Sequence, residues 1–172
     1  PASSSSESDV YKVEFTDNVS VIYDGDAAGI KAALRGIDLL LEDGMNIKVV
    51  LLPDGEDPDS FARKQNAESL TKYIKEHEVD FIRFKTQLLL EEAGNDPIKR
   101  ANLISDIVNS ISLIPDNIIR TVYIRDCSGL LSVNEQALTQ EVNTKFRVQM
   151  EQKHPNGSQP IPQPDASADR NK

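Results

Sequence analysis

Two groups of carboxylates stand where chemistry is most readily built. Asp24 and Asp26 flank Gly25 directly after the apolar run Val19–Tyr23, and Glu56, Asp57 and Asp59 follow the run Ile47–Leu52. Aspartates gathered at one place without partners repel one another. A hard divalent cation relieves that repulsion, because Mg²⁺ takes carboxylate oxygens and keeps waters for substrate phosphates. Gly25 lets the backbone turn sharply, and Ala27, Ala28 and Gly29 leave room for a phosphate to approach. Each acid also has a structural reading. Asp24 or Asp26 would serve equally as the cap of a following helix, and Asp57 stands where an N-cap belongs. Asp59 suits a first helical turn through the helix dipole, and Asp54 and Glu56 suit a solvated loop. For Glu56 to Asp59 the structural reading outweighs the functional one on spacing alone. Lys31 and Arg35, one helical turn apart, would reach a triphosphate or simply face solvent. His77 and His154 have no partner at ligand spacing. The single Cys127 excludes a cysteine zinc cluster and a disulfide framework, so no zinc site is expected.

The elements that must position these acids are legible from periodicity. Val19–Tyr23 and Ile47–Leu52 are short β-branched runs of the buried-strand type. Between them, Ile30, Ala33, Leu34, Ile37, Leu40 and Leu41 recur at helical spacing over Ala27 to Glu42, and Gly44 sits at the C′ position. Strand, helix and strand in this order predict a parallel βαβ unit, with both acidic loops at the ligand-binding edge of the sheet. Two strands make too small a sheet. The remainder must come from Val10–Phe15, from a partner or from other sequence. From Asp57 to about Gln152 the chain reads as helix. Asp57-Pro58, Asp96-Pro97 and Pro115-Asp116 open segments, and Ser132 to Glu135 fits a capping box with Ser132 as the cap. The expected class is therefore α/β followed by an all-α helical bundle. The divisions are a tail over 1–9, an α/β part over 10–66, a helical part over 67–152 and a Pro-rich tail over 153–172.

Composition narrows the function. The 172 residues carry a net charge of −9, which disfavours an independent nucleic-acid clamp. In the helical half, Arg120, Arg125, Lys145 and Arg147 are offset by Asp116, Asp126, Glu135 and Glu141. DNA reading there is disfavoured, and a non-catalytic helical protein-interaction module is the competing function. No run of 18 apolar residues is available for a membrane span, and the N-terminal residues lack a signal-peptide pattern, so a cytoplasmic protein is expected. Cys127, among apolar helical neighbours, reads as a buried small side chain.

Two motifs resemble a known family. Tyr23-Asp24-Gly25-Asp26-Ala27-Ala28-Gly29 and Leu52-Pro53-Asp54-Gly55-Glu56-Asp57-Pro58-Asp59-Ser60-Phe61 are similar, in order and spacing, to the TOPRIM region of bacterial replicative DNA primases of the DnaG type. The resemblance implies a partial TOPRIM domain followed by the family's helical subdomain. It also implies Mg²⁺- or Mn²⁺-dependent nucleotidyl transfer that makes RNA primers. Asp24 and Asp26 become the expected catalytic and metal-binding residues, with Asp57 and Asp59 as further metal ligands. Ribonucleoside triphosphates, a single-stranded DNA template and the replicative helicase are the implied partners. The family's E-G-x-x-D motif, about forty residues before the D-x-D, does not occur in this sequence. The expectation is therefore a fragment that is inactive alone, with helicase contact through a C-terminal domain outside it.

Overall fold

The structure is a computed structural model and describes residues 17–24 and 27–155. The predicted βαβ unit is present. β1 (Asn18–Tyr23) and β2 (Asn46–Leu51) run parallel and are joined by α1 (Ala27–Glu42). Their register pairs Asn18 with Asn46 and Tyr23 with Leu51. One step further, the Leu52 N–H donates to the Tyr23 carbonyl at 2.9 Å. The chain therefore leaves both strands at the same edge. α1 buries Ile30, Leu34, Ile37 and Leu41, the stripe its spacing predicts. It ends where Gly44 takes φ +79° and donates to the Leu41 carbonyl, a left-handed geometry that glycine adopts at least cost.

The third strand corrects the sequence reading. β3 (Val79–Asp80) pairs antiparallel with β2, Lys48 opposite Asp80 and Val49 opposite Val79, in the order β1-β2-β3. It lies inside the segment read as wholly helical. Two residues are too few for a periodicity to register, and their extended geometry is imposed by β2. Val10–Phe15, one of the expected sources of a further strand, lies outside the described residues, as do the 1–9 tail and residues 156–172.

Among the described residues, six helices follow β2: α2 (Pro58–Lys64), α3 (Ala67–His77), α4 (Phe81–Ala93), α5 (Pro97–Ser112), α6 (Asn117–Leu131) and α7 (Glu135–Lys153). Each starts at an Asp or Asn whose side chain accepts a first-turn N–H: Asp57, Asn66, Asp80, Asp96, Asp116 and Asn134. These short side chains satisfy N–H groups that no helical carbonyl can reach. The expected capping box at Ser132 is not formed. Ser132 instead closes α6 in the left-handed region at φ 54°, while the Val133 N–H returns to the Ser128 carbonyl at 3.2 Å. Asn134 is the cap of α7, accepting from the Ala137 N–H at 3.1 Å.

One continuous core runs through both halves. It joins Ile30 and Ile37 of α1 and Val49 of β2 to Phe81 and Ile82 of α4, Ile107 and Ile111 of α5, Leu131 of α6 and Val142 of α7. The sheet and the bundle therefore stabilise each other by burying a shared apolar surface. Among the described residues, no helix is long and apolar enough to cross a membrane.

Candidate metal centre

Asp24 is exposed, one residue beyond β1, and the parallel register sets it beside the point where β2 gives way to the Pro53–Asp57 loop. Asp26, its expected companion, lies outside the described residues. The second acidic loop is held by local bonds. Asp57 Oδ1 accepts the Ser60 N–H at 2.7 Å, and the Ser60 hydroxyl oxygen accepts the Asp57 N–H at 3.2 Å. That reciprocal pair is a capping box at the start of α2. Ser60 Oγ also donates to Glu56 Oε2 at 2.9 Å, and Lys64 Nζ holds Glu56 Oε1 at 2.6 Å. These bonds, that from Lys64 first, hold the Glu56 carboxyl below its ordinary range. Asp59 pairs with Arg63 at 2.8 Å across an exposed helical turn. Among the described residues, no three His, Cys, Asp or Glu side chains gather as a cation cage.

The edge itself is braced by α3, whose limits the sequence reading did not resolve. Tyr73 donates its hydroxyl to the Leu51 carbonyl at 3.0 Å, at the last residue of β2. Its ring lies between Phe61 of α2 and His77, with centroids at 4.8 Å and 4.0 Å. His77 stacks on Tyr73 and bonds through Nδ1 to the Tyr73 carbonyl oxygen at 2.9 Å. Lys31 does not stand alone in solvent. It pairs with Glu92 of α4 at 3.0 Å, while Arg35 on the next turn is exposed.

Several polar side chains buried in the bundle escaped the sequence reading. Lys85 of α4 is 7% exposed, and its ammonium donates to Ser110 Oγ at 2.7 Å. Ser110 Oγ donates in turn to Asp38 Oδ1 of α1 at 2.8 Å, and Asp38 Oδ2 lies 3.5 Å from Lys85 Nζ. The one signal for this was Lys85 falling four residues after Phe81, on the apolar face of its helix. Arg120, counted above as an offset charge, is 6% exposed. It donates to the carbonyls of Ile114 and Pro115 at 2.6 Å and 2.8 Å, with its guanidinium 3.8 Å over the Phe146 ring. Arg120 therefore pins the turn between α5 and α6 and is not a surface charge. Tyr123 donates to the Asp80 carboxylate, and burial, then that bond, push its phenol well above the ordinary range. Cys127 is buried as expected, and desolvation pushes its thiol up to about 11.

With this geometry, comparison with known proteins is informative. A family model described as Toprim-like matches residues 2–62, and one described as the DnaB-helicase binding domain of primase matches residues 82–136. The sequence reading located helicase contact outside the chain, whereas this second match falls within it. The DNA primase of Staphylococcus epidermidis is 31% identical over 137 residues, covering 80% of this chain and 23% of that protein. A DNA primase domain from Pseudomonas aeruginosa is 26% identical with a TM-score of 0.62, covering 74% of this chain and 41% of the other. A DnaG primase catalytic domain bound to single-stranded DNA is 30% identical with a TM-score of 0.56, covering 66% of this chain and 38% of the other. The chain thus spans less than a quarter of the curated primase it matches.

Proposed function

Because the chain belongs to the bacterial DNA primases of the DnaG type, we propose that it supplies the acidic edge of a primer-making nucleotidyltransferase, acting in the cytoplasm on ribonucleoside triphosphates. The observation that supports this reading is the parallel register of β1 and β2, which sends the Asp24 loop and the Asp57 loop out of one edge. Exposed carboxylate oxygens there suit a hard cation. Asp24 and Asp26 would hold Mg²⁺ or Mn²⁺, and the ion when bound supplies charge stabilisation on the triphosphate. Asp57 joins through its remaining oxygen or a bridging water, since Oδ1 is committed to the cap of α2. Asp59 reaches an ion by leaving Arg63, an exposed pair of the kind that contributes only about 0–1 kcal/mol. Lys31 likewise contacts a triphosphate by leaving Glu92, with Arg35 one turn further along.

Single-stranded template is held mainly by other parts of such a primase, because this chain carries a net charge of −9. The 172 residues also contain no E-G-x-x-D motif, so the chain by itself makes no primers. A ribonucleotide-incorporation assay with single-stranded DNA and Mn²⁺ tests both statements: primers that vanish in Asp24→Ala would refute inactivity and confirm the site. Mn²⁺ titration by calorimetry tests the metal reading directly. Equal affinity for the wild type and Asp24→Asn would remove it.

The bundle carries a second role, favoured by the match over residues 82–136. It contacts the replicative helicase as an interaction surface, and this is compatible with the acidic edge. Fluorescence anisotropy of the labelled chain with purified helicase measures that contact. No change up to tens of micromolar helicase would exclude it.

A further inference from the structure

Three helices fill most of the segment that matches the helicase-binding model, and they differ in what they show to solvent. The exposed side chains of α4 are Arg83, Gln87, Glu91 and Glu92, all polar. On α5 the one exposed large aliphatic residue is Ile98, with Ala101 and Asn102 a turn further on. A single exposed aliphatic side chain is ordinary on a protein surface. α6 is different. Ile118 is 74% exposed and Val122 is 62% exposed, and a spacing of four residues stacks them on one face.

That face continues as a line. Arg125 and Gly129 follow Val122 at steps of three and four, and both are exposed. The steps of four, three and four are those at which one helix packs along another. From Ile118 to Gly129 the line covers about 16 Å of helix axis. The acids beside it are already engaged: Asp126 accepts from Arg83 Nε and Nη2 at 3.1 Å and 3.0 Å, and Asp80 accepts from Tyr123. Arg125 has no hydrogen bond or ion pair with the other described residues. It is therefore the charge on this face that an incoming group must match. A quarter-turn further round α6, Ile119 and Tyr123 meet Leu41, Met45 and Pro115 around a cavity of about 80 Å³, room for one small aliphatic side chain.

We propose that the Ile118–Val122–Arg125 face of α6 is where the replicative helicase docks, through an amphipathic helix whose apolar stripe carries a carboxylate opposite Arg125. This rests on the helicase contact proposed above and assigns it to one face. A helix suits the face because it satisfies its own backbone groups, whereas an extended peptide laid on α6 finds no free backbone partners there. Nucleic acid does not suit it, since the face pairs two aliphatic side chains with one cation in a chain of net charge −9.

The test measures fluorescence anisotropy of the labelled full chain with purified helicase, for the wild type, Ile118→Ser/Val122→Ser, Arg125→Glu and Ile98→Ser. The double variant is expected to bind at least about tenfold more weakly with an unchanged thermal melt, as when aliphatic anchors of an interface are removed. Arg125→Glu is expected to weaken binding about fivefold at low salt, with a smaller deficit at high salt. Ile98→Ser, on the neighbouring helix, should bind as the wild type does. Wild-type affinity in the double variant, or an equal loss in Ile98→Ser, overturns the assignment of the face and leaves the helicase contact standing. Unchanged affinity in Arg125→Glu overturns the carboxylate. If the double variant does not fold, Arg125→Glu against Ile98→Ser decides the face by the same comparison. A wild-type chain whose anisotropy helicase does not change overturns the helicase contact itself. Sedimentation of the chain alone covers the remaining occupant: self-association that Ile118→Ser/Val122→Ser abolishes would make a second copy the partner and overturn the helicase assignment.

Discussion

The two acidic loops at the sheet edge contain the same residue types and are built in opposite ways. After β2, Glu56, Asp57 and Asp59 each have a partner close in sequence: Lys64 and Ser60, the Ser60 N–H, and Arg63. After β1, Asp24 is exposed, and no hydrogen bond or ion pair joins its carboxylate to the other described residues. A carboxylate satisfied by its own helix gains stability for the fold and loses readiness for a ligand. One with no partner among the described residues adds no described bond to the fold and keeps its oxygens free of those residues. If the proposed metal site is right, the difference would give Asp24 the leading role and the second loop a supporting one.

The largest effect that separates the loops is expected with metal present. An ion bound only by the folded chain stabilises it by about 2.7 kcal/mol at one hundred times its dissociation constant. Thermal melts with and without Mn²⁺ should show that gain in the wild type and lose it in Asp24→Asn. Asp59→Asn should keep most of it. Equal losses from the two substitutions would mean that the loops share the ion evenly and that the contrast between them is wrong.

Without metal the order reverses. Asp57→Ala removes the cap of α2 and should cost about 1 kcal/mol in urea denaturation, the usual value for losing an aspartate cap. Asp24→Ala, with no cap or pair among the described residues to break, should stay within about 0.5 kcal/mol of the wild type. A larger loss from Asp24→Ala than from Asp57→Ala would show that Asp24 is part of the structural framework.

What could be read in the sequence follows the same division between near and distant partners. Asp57, Asp96 and Asp116 were identifiable as caps because the cap, the neighbouring proline and the apolar stripe all lie within one or two turns. Ser132 was misassigned because two local signals overlapped. The chain needed a left-handed residue to close α6 before it could start α7, and Asn134 was a better cap two residues on. β3 could not be seen, because its two residues are extended only through pairing with β2. Lys85 and Asp38 lie 47 positions apart, and Tyr73 lies 22 from Leu51. No local pattern records such partners. The motifs at the sheet edge were therefore legible, while the groups that hold that edge in place were not.

Acid should act on the second loop more than on the first. The Lys64 and Ser60 hydrogen bonds lower the Glu56 pKa below its ordinary value of 4.5. A folded-state value below the unfolded one gives stability that is fully present above about 4.5 and is lost as pH falls through the folded value. Urea midpoints at pH 7 and pH 3 for the wild type and Glu56→Gln measure this. The wild type should lose more between the two pH values than the variant does. Lys64 is 63% exposed, so solvent screens the pair and the difference should be smaller than the cost of Asp57→Ala. Identical acid losses would mean that the bonds from Lys64 and Ser60 do not favour the charged form.

The smallest effect is expected at Asp59, and its smallness is what makes it useful. The Asp59–Arg63 pair spans one turn of α2, with side chains 73% and 78% exposed. Pairs of that kind contribute about 0.3–0.5 kcal/mol and weaken with salt. Asp59 also stands in the first turn of α2, where a negative charge interacts favourably with the helix dipole by a similar amount. Asp59→Asn should therefore cost less than about 1 kcal/mol at low salt. The cost should shrink further in 1 M NaCl, where the Debye length is about 3 Å. A loss that is large and insensitive to salt would mean that Asp59 has a buried structural partner, and the exposed pair with Arg63 would not account for it. A small, salt-sensitive loss leaves Asp59 able to exchange Arg63 for a cation. The second loop would then give up little of its structure on joining the metal site proposed around Asp24.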